Sequence, residues 1–381
     1  MTAPIAKAIQ IFNGLGAGNI GDELMMHGMW RELPADFPLH IFLHENSRLQ
    51  RQPYPERFQY RTLALPPSGF ELDAVDDAPG LLAGTTSVTD SEGWGWPLAF
   101  LAPRIQYFRN RGLPVDAVGV GVDFLVTPEG RRLFTDHFST IRSWTVRNTS
   151  SREALIEAGI EPVRIEVGAD WAWLYEPPQD YAAWAAAYLT SLGLRPHEPL
   201  LIVNLFWQGE GFSLPIWREI ACVLDHLQRQ EGLQMAFFCN ECRHPGFDRT
   251  AVEAIQAHMR GPSTLIPNLY FAPGEAVAIL RHAAATLGQR YHFCVESVLA
   301  ETIPVNLGRS PKIAGLCEEL GIAPCGSLES IDQDELYAAI TGAIHERAPR
   351  IALLQEKRRE LAARARHNLD FFRLWYGYPD A

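Results

Sequence analysis

The 381-residue sequence predicts an α/β protein of two Rossmann-like domains that face each other across a cleft. Three observations predict this fold class. Strand-like and helix-like patterns alternate along most of the chain, which is typical of parallel sheets. The alternation breaks at residues 193–199, and a second series follows. A glycine-rich segment joins the first strand pattern to the first helix pattern, as at the ligand-binding turn of such domains.

The first series of patterns runs from the N-terminus to about residue 178. An apolar strand pattern over residues 8–12 precedes a helix pattern that Leu33-Pro34 ends. Later in this series come strand Val115–Val120, helix Pro128–Phe138, strand Ile141–Val146 and helix Ser150–Ala158. The predicted first domain therefore covers residues 1–178.

The second series begins after the break. Its predicted elements are strand Leu200–Phe206, helix Trp217–Arg229, strand Leu233–Phe238 and helix Phe247–His258, then shorter patterns at Ala276–Arg281, Thr286-Leu287, Val295–Thr302, Pro304–Leu307 and Ile313–Leu320. We predict a second domain over residues 179–346.

Residues 347–381 predict a C-terminal crossover helix, with the helical pattern running from Ile351 to Trp375. This stretch is basic because it carries Lys357, Arg358, Arg359, Arg364 and Arg366. One interpretation is attachment to a membrane surface. The other is the solvated face of a helix that packs back across both domains. We favour the second, because charge runs are usually solvent-exposed surface.

Composition narrows the class of protein. A net charge of −12 argues against nucleic-acid partners, whose phosphates require a basic face. We see no signal peptide and no apolar run of about 18 residues, so we expect a cytoplasmic protein without an integral membrane segment. Six irregularly spaced cysteines are typical of reduced thiols. Cys239-x-x-Cys242 with His244 is a weak metal pattern, and we favour an ordinary loop there over zinc.

The glycine-rich segment Asn13–Asp22 predicts a ligand site. Its Gly16-x-Gly18-x-x-Gly21 spacing, with Glu45 downstream, matches a dinucleotide fingerprint. Asp22 and Glu23 oppose that hypothesis, because carboxylates at a helix start would repel a pyrophosphate. A neutral polyol is a better ligand, since a carboxylate accepts a hydroxyl proton. Asp22 could serve as that base or simply cap the helix, and both interpretations stay open.

Three predicted strands end in cationic side chains. Arg147 follows the strand that ends at Val146, Arg290 and His292 follow Thr286-Leu287, and Lys312 lies just beyond Pro304–Leu307. Ligands bind at the carboxyl ends of strands in open α/β sheets. The set suits a small, multiply charged anion, with arginine and lysine as a clamp and histidine as proton donor. Taken singly, Arg147 could pair with a nearby acid at the domain surface, and His292 could be a packed histidine.

Several segments occur in the order and spacing of one known family. They are the Gly14–Asp22 loop, Gly119-x-Gly121, Val146-Arg147-Asn148-x-x-Ser151 with Leu155 and Gly159, Ala169-Asp170-Trp171-Ala172, Gly288-Gln289-Arg290-Tyr291-His292, Pro304, Lys312 and Leu320-Gly321. In this respect the chain resembles the polysaccharide pyruvyl transferase family over roughly residues 8–322. The resemblance implies a fold like the B-type glycosyltransferases. It also implies transfer of pyruvate from phosphoenolpyruvate onto two hydroxyls of one sugar, giving a cyclic ketal.

This chemistry assigns a role to each candidate residue. Arg147, Arg290 and Lys312 clamp the donor, His292 protonates its methylene carbon, and Asp22 accepts a hydroxyl proton. The remaining substrate-binding candidates are Gly16, Gly18, Asn19 and Gly21 of the loop, with Asn148 and Ser151. The reaction requires no metal and no redox cofactor. The expected acceptor is a sugar or glycan, and its attachment to a lipid carrier is left open.

Other functions stay open at this point. A nucleotide-sugar-dependent glycosyltransferase of the same fold is one, and a dinucleotide oxidoreductase is another. A non-catalytic binding protein that kept the fold is the third. Its support is that the chain departs from the family pattern at Asn148, at Ala83-Gly84-Thr85-Thr86-Ser87 and at Phe206-Trp207-Gln208.

Overall fold

The computed structural model describes residues 9–16, 18–34, 37–44, 59–63, 78–85, 87–90, 97–206, 214–241, 247–268, 271–308, 311–326 and 330–376. The described chain divides into two units. The first contains the residues up to Gly16, then Asp22–Tyr175 and the chain from Glu360 onward. The second contains Gly18–Gly21 and Glu176–Arg359.

The first unit is built on a seven-stranded parallel sheet with the order β3-β2-β1-β4-β5-β6-β7. Its strands are β1 (Ile9–Leu15), β2 (Leu39–His44), β3 (Gln59–Leu63), β4 (Gly80–Ala83), β5 (Val115–Val120), β6 (Trp144–Val146) and β7 (Ile165–Val167). Its helices are α1 (Ile20–Glu32), α2 (Leu98–Asn110), α3 (Pro128–His137) and α4 (Thr149–Glu157). The strand order reverses between β1 and β4.

The second unit has a five-stranded parallel sheet with the order β10-β9-β8-β11-β12. Its strands are β8 (Leu200–Asn204), β9 (Gln234–Phe238), β10 (Thr264–Ile266), β11 (Ala285–Gly288) and β12 (Pro304–Asn306). Its helices are α5 (Ala182–Ser191), α6 (Leu214–Glu231), α7 (Phe247–Gln256), α8 (Pro273–Leu280), α9 (Tyr291–Leu299), α10 (Pro311–Leu320) and α11 (Gln333–His345). Two C-terminal helices follow, α12 (Arg347–Arg366) and α13 (Asn368–Tyr376).

The central strands of both sheets are buried on both faces. Every residue of β5 and of β8 is buried, and their sequences are nearly continuous apolar runs. Such runs are expected where helices cover both faces of a parallel sheet. The two parallel sheets with their helices confirm the predicted α/β class. Among the described residues, no helix combines the length and the apolar character needed to cross a bilayer.

Trp171 anchors the segment after β7 to the first sheet. Its indole Nε1 donates a hydrogen bond to the Val118 carbonyl (3.1 Å), and the side chain is fully buried. Gly119 makes room for the ring, because a Cβ at that position would overlap the indole. Its φ of 68° also favours glycine. The Gly119 and Ala169–Ala172 motifs therefore meet in the structure.

The prediction of one long C-terminal helix is wrong. The chain turns at His367, between α12 and α13. Just beyond the turn, the buried Asn368 side chain donates a hydrogen bond to the Ala169 carbonyl (2.8 Å). This contact joins residues 199 positions apart and fixes the start of α13 against the segment that follows β7.

The start of α9 also differs from the sequence prediction. The helix begins at Tyr291, four residues before the predicted start at Val295. His292 is therefore the second residue of the helix instead of part of the preceding turn. The aromatic pair Tyr291 and Phe293 is buried against the second unit's core and lengthens the helix at this end.

Candidate active site

The glycine-rich loop leaves the first sheet where the strand order reverses. Left-handed φ values at Gly16 (82°) and Gly18 (79°) favour glycine. The buried Glu23 carboxylate accepts a hydrogen bond from the Gly16 amide (2.9 Å), and Asn19 Oδ1 accepts one from the Gly21 amide (3.0 Å). Two loop amides are thus bound by neighbouring side chains. This argues against a dinucleotide, whose pyrophosphate needs such amides.

Residues 18–21 belong to the second unit. Two backbone contacts attach them to it. The Ile20 amide donates a hydrogen bond to the Asn240 carbonyl (3.1 Å). Asn19 forms an isolated antiparallel bridge with Glu241. This part of the loop therefore lies at the carboxyl end of β9, where ligands bind in parallel sheets.

His292 lies directly against the loop. A Cβ built on Gly21 would overlap the Cβ and ring of His292, so only glycine fits at position 21 in this arrangement. His292 is the second residue of α9, with Arg290 as the residue before the helix. The His292 side chain is partly exposed. His292 therefore lies at a helix N-terminus, a position that favours negative charge.

Arg290 is anchored by two buried carboxylates. Its Nε is 2.9 Å from Asp248 Oδ1, and its Nη2 is 3.0 Å from Glu241 Oε2. The guanidinium also lies over the Phe206 ring, 4.5 Å from its centroid. Burial alone would lower the pKa of Arg290, but Asp248 and Glu241 together raise it above its ordinary value, so the side chain stays charged. Nη1 makes no hydrogen bond within the described residues, and 12% of the side chain is exposed.

Arg147 lies in the first unit, directly after β6. Its guanidinium packs on Gly121, where a Cβ would overlap it. It pairs with Asp170 at 3.4 Å, and the two side chains are 3% and 0% exposed. Asp170 also caps a short 3-10 helix, because its Oδ1 accepts a hydrogen bond from the Ala172 amide (2.9 Å). The Asp170 carboxylate therefore holds Arg147 in one orientation.

Asn148 and Ser151 organise the start of α4. Asn148 is the N-cap, and its Oδ1 accepts a hydrogen bond from the Ser151 amide (2.9 Å). Ser151 Oγ in turn accepts one from the Val122 amide (2.9 Å). Both side chains are buried and make structural contacts. Their role in substrate binding stays a prediction.

Asp22 and Lys312 occupy helix starts. Asp22 lies in the first turn of α1, Lys312 is the second residue of α10, and both side chains are partly exposed. The first unit contains the candidates Gly16, Asp22, Arg147, Asn148 and Ser151; the second contains Gly18, Asn19, Gly21, Arg290, His292 and Lys312. Within the second unit, the structure brings Gly21 to His292 and connects Asn19 to Arg290 through Glu241.

Some sequence hypotheses fall outside the described residues. They concern Glu45, Thr86, Trp207, Gln208, Cys242 and His244. Cys239 is described as a buried free thiol. Within the described part of the chain, His, Cys, Asp and Glu side chains form no group of three that could hold a metal ion.

Comparison with known proteins assigns the chain to a family. The family model for polysaccharide pyruvyl transferase matches residues 19–311, more than half of the chain, including the end of the loop from Asn19 onward, Arg147, Arg290 and His292. The chain belongs to the polysaccharide pyruvyl transferase family. No curated protein sequence matches it.

Solved structures similar to this pyruvyl transferase family member share its fold at low sequence identity. The trehalose-6-phosphate synthase OtsA is 13% identical with a TM-score of 0.61, covering 98% of this chain and 100% of its own. HepE from Anabaena, solved in complex with UDP-glucose, is 10% identical with a TM-score of 0.61, covering 96% and 99%. The UDP-GlcNAc 2-epimerase of Methanocaldococcus jannaschii is 11% identical with a TM-score of 0.59, covering 89% and 93%. At these identities the similarity concerns the fold, which is that of the B-type glycosyltransferases and epimerases.

The family motifs contain the candidate site residues, but they do not contain the acids that surround Arg290. Glu241, Asp248 and Glu296 lie in the second unit around Arg290 and were not anticipated. One sign was available in the sequence: Glu296 is a lone acid within the apolar helix Tyr291–Leu299. Glu241 and Asp248 carry no such sign, because they approach Arg290 from a different strand and helix.

Proposed function

We propose that this family member transfers pyruvate from phosphoenolpyruvate onto two hydroxyls of one sugar, forming a cyclic ketal and releasing phosphate. The observation that carries the proposal is the contact of Gly21 with His292, beside the anchored Arg290. It puts a neutral backbone surface, a proton donor and a cation together in the second unit. These are the groups that an anionic enol donor and a polyol acceptor require.

The proposed reaction begins at the donor. His292 protonates the methylene carbon of phosphoenolpyruvate, which leaves an oxocarbenium-like centre that a sugar hydroxyl attacks. Asp22 is proposed to accept the hydroxyl proton. The C–O bond to phosphate then breaks, phosphate leaves, and the neighbouring hydroxyl closes the ketal. Of the two hydroxyl protons, one balances the proton placed on carbon and the other leaves with phosphate or the base.

The electrostatics of the second unit support an anionic donor. Helices α9 and α10 start at the carboxyl ends of the adjacent strands β11 and β12. Helix N-termini favour negative charge, by about 0.3–1 kcal/mol each at exposed sites. His292 and Lys312 are the second residues of these helices. Arg290 adds a preorganised cation whose Nη1 makes no hydrogen bond within the described residues, and we propose that these groups hold the phosphate and carboxylate.

The first unit contains further candidates, proposed to serve both the acceptor and the donor. Gly16 and Asp22 belong to the loop and the helix that follows it, and Arg147 is fixed by Asp170. We retain Arg147 as a donor-binding residue and Asn148 and Ser151 as residues that shape the same region. The acceptor is proposed to be a sugar or glycan.

The decisive experiment combines binding and turnover. Thermal-shift measurements with phosphoenolpyruvate, UDP-glucose and NAD should show stabilisation by phosphoenolpyruvate, because only a ligand of the native state raises the melting point. Incubation with phosphoenolpyruvate and a panel of sugars should release phosphate. It should also increase the mass of one sugar by that of pyruvate less water.

The same experiment tests the alternative functions. The fold shared with HepE, which was solved with UDP-glucose, favours a nucleotide-sugar-dependent glycosyltransferase as second candidate. Stabilisation by UDP-glucose alone would support it. Stabilisation by NAD would support an oxidoreductase. Binding of phosphoenolpyruvate without turnover on any sugar would support a binding protein.

A further inference from the structure

Glu296 is a fully buried acid one helical turn after His292 on α9. Its Oε1 accepts a hydrogen bond from Asn240 Nδ2 (3.3 Å), and Asn240 is also buried. Two further atoms of this pair, Glu296 Oε2 and Asn240 Oδ1, are buried and make no hydrogen bond within the described part of the chain. The proposed mechanism uses neither residue.

The two unpartnered atoms bear on the protonation state of Glu296. An ionised carboxylate and an amide oxygen are both acceptors, so they cannot satisfy each other. A neutral carboxyl group can, because its O–H donates to the amide oxygen while the amide N–H donates to the second carboxyl oxygen. One proton on Glu296 would supply the donor that neither atom has within the described residues. Leaving them unpaired would cost about 1–3 kcal/mol per group.

The surroundings of Glu296 favour the neutral acid. Burial raises the pKa of Glu296 to about 8; Arg290 acts in the opposite direction and Asp248 reinforces the rise. The thiols of Cys294 on α9 and Cys317 on α10, which both contact Asn306 Nδ2, have pKa values raised by burial, so they stay neutral in the same range. From α8, the Glu275 carboxylate is bound to the Ala272 amide.

Asn240 links this acid to the glycine-rich loop. Its carbonyl accepts the hydrogen bond from the Ile20 amide, and its own amide donates to Asp248 Oδ2 (2.8 Å). Asp248 holds Arg290, and Ile20 is next to Gly21, which contacts His292. Asn240 thus connects Glu296, which its side chain contacts, to the backbone of residues 19–21, which its carbonyl contacts.

We propose that Glu296 is a neutral, buried positioning residue that, through Asn240, holds loop residues 19–21 against His292. Ionisation of Glu296 removes the donor of the pair and releases the loop. The effect on turnover rests on the proposed function, whereas the protonation state and the loop contact do not.

The test compares Glu296→Gln with wild type, because glutamine keeps the neutral shape but cannot titrate. The native state holds a proton that unfolded Glu296 releases above its ordinary pKa of about 4.5, so this group's contribution to stability decreases from about pH 4.5 to about pH 8. The melting temperature of wild type should therefore fall more steeply over this window than that of Glu296→Gln. The surface variant Glu253→Gln, from an exposed pair on α7, should follow wild type.

Hydrogen exchange tests the link to the loop. At about pH 9, one unit above the pKa of Glu296, about one-tenth of the molecules keep the proton. The Ile20 amide should then exchange faster in wild type than in Glu296→Gln measured at the same pH, and equally at about pH 7. If the proposed function is correct, wild-type kcat should fall about tenfold at about pH 9, and that of Glu296→Gln should not. Glu296→Leu should be impaired at both pH values.

Each result decides a separate part of the inference. Equal pH slopes of melting temperature would show that Glu296 is ionised, and would overturn the proposal. Equal Ile20 exchange at about pH 9 would overturn the link to the loop. If the pH slopes of melting temperature and the Ile20 exchange are as expected but no pyruvyl transfer occurs, the proposal about Glu296 stands and the proposed function is contradicted. If Glu296→Gln does not fold, the carbonyl stretch of a protonated carboxyl group in wild type, lost between about pH 7 and pH 9, gives the same decision.

Discussion

At the scale of single residues, His292 carries the sharpest prediction. His292→Gln should lower turnover by about 10²–10⁴-fold, the usual range for loss of a general acid. Affinity for phosphoenolpyruvate should change much less, because Lys312 and Arg290 remain. Steady-state kinetics and a binding titration separate the two quantities. His345→Gln, at an exposed position paired with Glu231, serves as the control. Intact turnover with lost binding would make His292 an anion ligand instead.

The contact between Gly21 and His292 gives a second prediction. Gly21→Ala should lower kcat by about 10–100-fold, because the new methyl group must displace the ring or the loop and small displacements are costly in catalysis. Gly232→Ala is the matched control: its φ of 67° strains the backbone, but no atom lies within 4 Å of the added carbon. It should lose stability and keep kcat. Normal turnover in Gly21→Ala would show that this contact does not matter.

The positions of candidate site residues could be predicted from the sequence where a single segment contains all the evidence. Arg290 and His292 could be placed at a strand end because the strand pattern, glycine and cation follow each other directly. The partners of Arg290 could not, since Glu241 and Asp248 are distant in sequence and meet it only through the fold. Asn148 was predicted as a ligand residue, but asparagine before a Thr-Ser-Ser run is also a capping pattern, and the structure shows the cap.

At the scale of elements, Asn148 allows capping to be measured. Asn148→Ala should reduce the free energy of unfolding by about 1 kcal/mol, because the Ser151 amide loses its acceptor. Asn148→Ser should restore most of it. Chemical denaturation measures both. Thr127, which caps α3 through the Gly130 amide, provides a comparison variant, Thr127→Ala. A raised KM for phosphoenolpyruvate in Asn148→Ser, at unchanged stability, would add substrate contact to the capping role.

The ion cluster that joins β9, α7 and α9 gives a further prediction. Arg290→Met should destabilise the protein by about 3–5 kcal/mol, because Asp248 and Glu241 would be left buried without their cation. Adding Asp248→Asn should recover part of the loss. Arg249→Met, at an exposed pair on α7, should leave the denaturation midpoint unchanged. A small effect of Arg290→Met would show that the cluster is dispensable for folding.

Elements were predicted well where packing and local pattern agree. The bounds of β5 were predicted correctly, since an apolar run ended by glycine allows few alternatives. The start of α9 was predicted late, because Tyr291 and Phe293 resemble strand residues and become helical only through burial. The C-terminal break at His367 depends on the contact between Asn368 and Ala169, which no local pattern records.

At the scale of the whole molecule, His27, whose side chain is only partly exposed, makes the free energy of unfolding depend on pH. Burial lowers the pKa of His27 to about 4. The centroid of its ring lies 5.0 Å from the ring centroid of Trp30 and 6.1 Å from that of Tyr175. The unfolded chain binds this proton near pH 6.5 and the native state only near 4, so stability falls as pH decreases through that window, by on the order of 3 kcal/mol. Melting curves from about pH 7 to pH 4 measure the loss.

His27→Leu should remove this dependence. The variant should gain stability relative to wild type as the pH falls below about 6.5, and the gain should level off near 4. Exposed His345 again provides the control, since His345→Gln should change the curve little. Parallel curves for wild type and His27→Leu would mean that the His27 imidazole is protonated in the native state.

The close approach of Gly21 and His292 also bears on how this family can diverge. A larger residue at position 21 is compatible with the fold only if position 292 becomes smaller, so the two positions cannot mutate independently. Relatives that have lost the histidine should therefore be free to replace the glycine, and relatives with a side chain at position 21 should lack the histidine. Paired substitution at these two sites would then mark descendants that have abandoned the chemistry while keeping the architecture.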